Sequence, residues 1–178
     1  GGISMKKLLG LMLCTILILT GCSKANTNSN KITYNSYNDI FSVEAVNGWQ
    51  QVEQGTLNSL ADIELADLKN DKYFVALMEN KADFEWSYEE YMNNTIASNA
   101  STYNLTDYEK KDIKIGNYDC KYIEFKSTNN DTEVNTYIQI YYVETENYYG
   151  QLLTWTLNSK KDEYKDEFIK LVESFKEK

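Results

Sequence analysis

Six consecutive apolar residues, Tyr73-Phe74-Val75-Ala76-Leu77-Met78, constrain the fold more than any other stretch of this 178-residue chain. The run is bounded by polar residues and is too short for a core helix, so it reads as a strand. Side chains along a strand point alternately to opposite faces. A strand that is apolar at every position therefore needs cover on both sides, as a central strand does.

The flanking sequence predicts the cover. Phe41, Val43 and Ala45 alternate with Ser42 and Glu44, and Asn47-Gly48 is a favoured two-residue hairpin turn leading into a return strand over Trp49–Glu53. After a connection at Thr56–Leu60, Ile63–Leu68 and Tyr73–Glu79 read as strands joined by Lys69-Asn70-Asp71-Lys72. Ser87 and Glu90 form a capping box at the start of a helix whose apolar stripe is Tyr88, Tyr91, Met92 and Ile96, and which frays near 99–101. Then come strands over Tyr108–Ile115 and Tyr118–Lys126 around Gly116-Asn117, a turn over Thr128–Thr132, and a long hairpin of Val134–Val143 with Tyr148–Leu157. Ser159 is placed to cap a last helix with the stripe Tyr164, Phe168, Leu171, Val172 and Phe175. Hairpin-length connections predict a mostly antiparallel sheet, and the two amphipathic helices predict an α+β fold with one helix on each side of it.

The N-terminal segment carries an address. Lys6 and Lys7 follow Met5, and an apolar run over Leu8–Thr20 leads to Gly21 and Cys22. As a helix that run would be roughly 20 Å long, short of a roughly 30 Å hydrocarbon core. It fits a secretory signal better than a permanent span. Leu19-Thr20-Gly21-Cys22 resembles the lipobox of bacterial lipoproteins. The resemblance implies cleavage after Gly21 and diacylglycerol on the Cys22 thiol. Residues 1–21 are then signal peptide, with 1–4 upstream of the start, 22–31 a polar flexible tether and 32–178 one globular domain. Two acyl chains anchor stably, so the expected location is the outer face of the cell membrane.

Composition excludes more than it identifies. The chain has no His, no Arg and no Pro. Ser-His-Asp and Cys-His catalysis, His-ligated zinc and bidentate guanidinium clamps are therefore ruled out. The net charge is −9, and loss of Lys6 and Lys7 with the signal takes it to −11, which disfavours nucleic acid and anionic lipid headgroups as partners. Cys14 leaves with the signal and Cys22 is acylated, so Cys120 has no internal disulfide partner. The richness in Asn, Lys, Asp, Glu and Tyr resembles the products of AT-rich Gram-positive genomes.

From Ile32 to Lys178 the chain resembles the PsbP-like group of α/β/α sandwiches. The carrying residues are Phe41-Ser42-Val43 with Gly48-Trp49, Ser87-Tyr88-Glu89-Glu90-Tyr91, Gly116 with Cys120, and Phe168 with Val172-Glu173-Ser174-Phe175-Lys176. Val46-Asn47 stand where the family opening carries Pro before Gly-Trp. The resemblance implies a binding or assembly role, and the family has no catalytic motif to carry over.

Candidate sites are few. Trp49 is a ligand platform or a core anchor, and its place at a strand start favours the anchor. For Cys120 the chain holds no His or Arg to lower the thiol pKa, and a free Cys is usually buried, which favours an inert core thiol. Tyr141, Tyr142, Tyr148 and Tyr149 flank the last hairpin turn. Alternation sends about half of them inward, and the rest, with Glu144, Glu146 and Asn147, could form an aromatic–acidic patch for sugar rings or a protein. The acid groups Asp62/Glu64/Asp67, Glu89/Glu90 and Asp131/Glu133 lack the spacing of a calcium loop. The expected function is thus a non-enzymatic, membrane-anchored binding role toward an envelope protein or glycan, with no cofactor and no metal. The alternatives are a carboxylate-dependent envelope hydrolase, whose discriminator is a cleft holding two acids of raised pKa, or a small-ligand-binding lipoprotein.

Overall fold

Lys72–Asn80 is a strand in the interior of a seven-stranded antiparallel sheet, hydrogen-bonded on both edges. The computed structural model describes residues 30–46, 48–103, 105, 108–128 and 132–178. The signal, Gly21, Cys22 and most of the tether lie outside the described residues, as does Asp131. In chain order the strands are β1 (Ile32–Asn35), β2 (Phe41–Ala45), β3 (Gln50–Gln51), β4 (Ile63–Asp67), β5 (Lys72–Asn80), β6 (Lys111–Ile115), β7 (Tyr118–Thr128), β8 (Asn135–Glu144), β9 (Tyr148–Leu157) and β10 (Lys176–Glu177). Helix α1 (Tyr88–Tyr103) follows β5, and α2 (Lys161–Glu173) follows β9.

The large sheet has the order β3-β4-β5-β9-β8-β7-β6, and a small sheet has the order β1-β2-β10. Five of the large sheet's six neighbour pairs join strands consecutive in the chain. The exception that closes it is β5 against β9, with Val75 opposite Leu153. Alternation divides the side chains between two cores. Phe74, Ala76, Met78, Tyr141, Val143 and Leu152 face α2 residues Phe168, Leu171 and Val172, together with Phe41, Val43 and Ala45 of the small sheet. Tyr73, Val75, Ile123, Ile138, Ile140, Leu153 and Trp155 face Met92 and Ile96 of α1. Each fully buried Leu, Ile or Phe in these stripes contributes roughly 2 kcal/mol. The result is an α+β fold with a helix on each face of an antiparallel sheet.

Three local expectations are corrected. The expected hairpin of β2 with the following strand is not formed: β2 pairs with β1 and β10, whereas β3 pairs with β4, and Asn47 of the expected turn lies outside the described residues. The reason is Trp49, which drops into the α2-side core with its ring 6.1 Å from that of Phe168. Gly48 makes the passage at φ +110, where a Cβ would stand 2.7 Å from Asp67 Oδ2. Ser159 is not a helix cap. It lies inside a 3-10 turn over Asn158–Lys160, and α2 opens without a side-chain cap, with Asp162 and Glu163 set against its N-terminal dipole. Helix α1 runs on to Tyr103, past 99–101, because Asn99 is buried and donates to Gln151 Oε1 at 2.9 Å and to Tyr142 Oη at 3.0 Å.

On the α2 side, Glu124 of β7 accepts from Tyr122 Oη at 2.6 Å, from Tyr137 Oη and from Lys165 Nζ at 3.0 Å. Burial pushes the carboxyl pKa up, but the two tyrosine hydroxyls and Lys165 outweigh it and hold the value down at about 2. A carboxyl lowered on folding stabilises the native state above its unfolded pKa of about 4.3 and loses that contribution as pH falls. Glu124→Gln should therefore flatten the loss of stability between about pH 4.5 and pH 2. Urea midpoints measured across that range check this.

Candidate functional site

Among the described residues, half-exposed aromatic rings meet a concentration of charge at the connection from β5 to α1. Asn80 Oδ1 accepts from Ala82 N at 2.9 Å and so caps a 3-10 turn over Lys81–Asp83. Lys81 N donates to Asn147 O at 2.9 Å, which binds this turn to the β8–β9 turn. Phe84, Glu85 and Trp86 follow, and then the capping box forms as the sequence predicts. Ser87 N donates to Glu90 Oε2 at 2.8 Å, and Glu90 N donates to Ser87 Oγ at 3.3 Å. The Ser87 amide and then the Ser87 hydroxyl, which also donates to Glu90 Oε2 at 2.8 Å, lower the Glu90 pKa.

Tyr149 is the floor of this site. It is buried and stacks on Tyr91 of α1 with centroids 5.0 Å apart, and its hydroxyl donates to Trp86 O at 2.9 Å. Tyr91 in turn donates to Glu79 Oε2 at 2.9 Å. Burial first, then the neighbouring Glu79 charge, keeps the Tyr91 hydroxyl protonated far above its ordinary range. Phe84 lies edge-on to Tyr91 at 5.6 Å and 5.4 Å from Trp86. Tyr88 closes the other side, 6.0 Å from Tyr149, and donates to Tyr142 O at 2.6 Å. Phe84, Trp86 and Tyr88 remain half-buried, whereas Asp83, Glu85, Glu89 and Glu90 are exposed. Lys81 Nζ sits 2.7 Å from Glu144 Oε1 and 5.3 Å from the centre of the Tyr149 ring.

Of the hairpin residues singled out from sequence, Tyr149 and Glu144 meet here, and Glu146 is exposed on the adjoining turn. The other three go elsewhere. Tyr141 is 2% exposed on the α2 face beside Tyr122, and Tyr142 is fully buried on the α1 face. Tyr148 lies half-buried, edge-on to Phe41 at 4.8 Å. Lys81, Phe84 and Trp86 escaped the sequence reading. Their signal is Phe84-Glu85-Trp86, an aromatic–acid–aromatic triplet immediately before a capping box, where a core helix needs no such exposed rings.

The internal acids are engaged by the fold itself. Glu64 accepts from the backbone amides of Gly55, Leu57 and Asn58. Asp67 and Glu167 share Lys72 Nζ at 3.1 and 2.6 Å, and Trp49 Nε1 also donates to Glu167 at 2.6 Å. Trp49 is thus the core anchor of this cluster. Cys120 is buried, and burial pushes its thiol pKa up to about 12. Among the described residues, no group of three His, Cys, Asp or Glu side chains is gathered to hold a metal ion, and no helix is long and apolar enough to cross a membrane.

No protein-family model and no curated protein matches the chain. Solved structures do. The cyanobacterial PsbP protein (CyanoP) of Synechocystis is 13% identical, with 89% of this chain and 98% of that one covered and a TM-score of 0.55. LpqN, involved in cell envelope biogenesis of Mycobacterium tuberculosis, is 10% identical over 84% of this chain and 91% of its own, with a TM-score of 0.57. A crystal structure from Bacteroides thetaiotaomicron is 14% identical with a TM-score of 0.58. It covers 82% of this chain and 48% of that one, so this chain spans about half the length of that protein. At these identities the likeness is one of fold, and the fold is PsbP-like.

Proposed function

We propose that this chain is a lipid-anchored protein on the outer face of the cell membrane that binds a component of the cell envelope, without catalysis, through the collar of Phe84, Trp86, Tyr88, Tyr149 and the surrounding acids. The observation that carries the reading is the disposition of the collar. It lies on the α1 face of the large sheet, whereas β1, the first strand after the tether, packs in the small sheet on the α2 face. A domain held by Cys22 on a spacer of about 30 Å keeps such a surface away from the layer that receives its anchor. Likeness to a protein of cell envelope biogenesis supports the same address. The hydrolase alternative is disfavoured by the acids. Glu90, Glu124 and Glu177 are displaced downward in pKa, opposite to what a general acid needs, and Glu64, Asp67 and Glu167 are committed to internal donors.

Replacing Cys22 with Ala in the native host should move the protein from the membrane fraction to the medium or the wash, and should abolish incorporation of radiolabelled fatty acid. A Cys22→Ala protein that stays with the membrane would sink the anchor.

A further inference from the structure

The collar's charge and chemistry name a partner. Residues 79–90 hold five acids against the single Lys81, and residues 144–149 add two acids and no base. Lys81 is already committed to Glu144, so the outward-facing charge is negative. Phosphates, carboxylate polymers and anionic headgroups would be repelled from such a surface, and a neutral sugar, although it could stack on the rings, would gain no attraction from the net charge. What the collar does hold is instructive: the chain's own lysine, with its ammonium over the Tyr149 ring and against a carboxylate. A cation over an aromatic face is attracted by the ring quadrupole, more so with a carboxylate alongside. Phe84 and Trp86, half-buried 5.4 Å apart with Glu85 exposed between them, repeat that pairing of ring and acid without an internal lysine.

We propose that the collar docks a lysine- or arginine-bearing segment of an envelope protein, with basic side chains lying across Trp86 and Phe84 and paired with Glu85, Glu89 and Asp83. This rests on the binding role above and specifies its partner class. Electrostatic steering would dominate the encounter and salt would weaken it, since exposed charges are screened beyond roughly 8 Å at physiological ionic strength.

The test uses the full chain in detergent micelles, with pentalysine and its fully acetylated, uncharged counterpart as probes and chitotetraose as a neutral sugar, followed by calorimetry. Pentalysine should bind and the acetylated peptide should not, with affinity falling several-fold as sodium chloride rises from about 0.05 to about 0.5 M. Trp86→Ala should weaken binding about tenfold. The double variant Glu85→Lys with Glu89→Lys should abolish it, both residues being exposed, and far-UV circular dichroism checks that α1, whose first turn holds Glu89, stays folded. Trp86 fluorescence gives a second readout, because Trp49 and Trp155 are buried. Equal binding of both peptides, absence of pentalysine binding, or indifference to the charge reversal overturns the basic partner. Saturation by chitotetraose instead would overturn it in favour of a glycan while leaving a binding role intact. None of these results touches the anchor, which stands or falls on Cys22→Ala.

Discussion

Replacing Lys72 with Met should lower the unfolding free energy by about 3 kcal/mol. The Lys72 side chain is 5% exposed, its ammonium lies between Asp67 and Glu167, and the rings of Trp49 and Tyr164 stand 5.2 and 5.0 Å from it. Methionine keeps the apolar stem and roughly the volume, so little cavity is created. What is lost is the only cation facing two carboxylates in this cluster, one of them with a side chain only 3% exposed. Breaking a buried pair is costly because the surviving charge has no counterion. Asn70 Nδ2 still donates to Asp67 at 2.7 Å and Trp49 Nε1 to Glu167 at 2.6 Å, which keeps the cost at the low end of its range. Adding Asp67→Asn to Lys72→Met should recover part of the loss. Urea unfolding of both variants decides the matter, and a loss below about 1 kcal/mol for Lys72→Met would show that the carboxylates find other partners.

Glu64→Gln should cost a comparable amount, about 3 kcal/mol, and should do so locally. The Glu64 carboxylate is fully buried in β4 and collects the amides of Gly55, Leu57 and Asn58, so it holds the 53–61 connection onto the sheet. An amide of the same shape presents a nitrogen with its own hydrogens where one carboxylate oxygen had been, leaving buried N–H groups facing a donor. Amide hydrogen exchange at Gly55, Leu57 and Asn58 should accelerate well beyond exchange in β5 or β9. Unchanged protection at those three amides would refute the assignment of Glu64 as the clasp of that loop. Tyr37 packs against the same carboxylate, Oη to Oε1 at 3.4 Å, and should feel the substitution as well.

The sequence declared what is local. Tyr73–Met78 reads as a strand covered on both faces because every one of its positions is apolar. The Ser87–Glu90 box is legible because both partners lie within one turn. The hairpins after α1 follow from strand length and turn composition. Pairings set by distant contacts left no such mark. Nothing near Ala45 or Trp49 announces that β2 will join β10, more than 130 residues on, rather than β3. Lys72 reads as one more charge in a Lys-Asn-Asp-Lys turn, since the carboxylate that draws it inward comes from Glu167 on α2. The candidate surface was half visible for the same reason. Tyr149 and Glu144 sit on the hairpin that drew attention, while Phe84 and Trp86 reach them only through the fold.

The small sheet also fixes how a pull on the domain would be borne. Strand β1 is at the edge of the order β1-β2-β10, so its four residues are laddered to β2 alone. Strand β2 is braced by more: Ser174 Oγ accepts from Glu44 N at 2.7 Å, and Lys178 N donates to Ile40 O at 2.9 Å. Tension applied at the N-terminal end of β1 would therefore peel β1 first and be stopped at β2. The seven-stranded sheet and its aromatic rings would stay folded, with about 14 Å of additional reach.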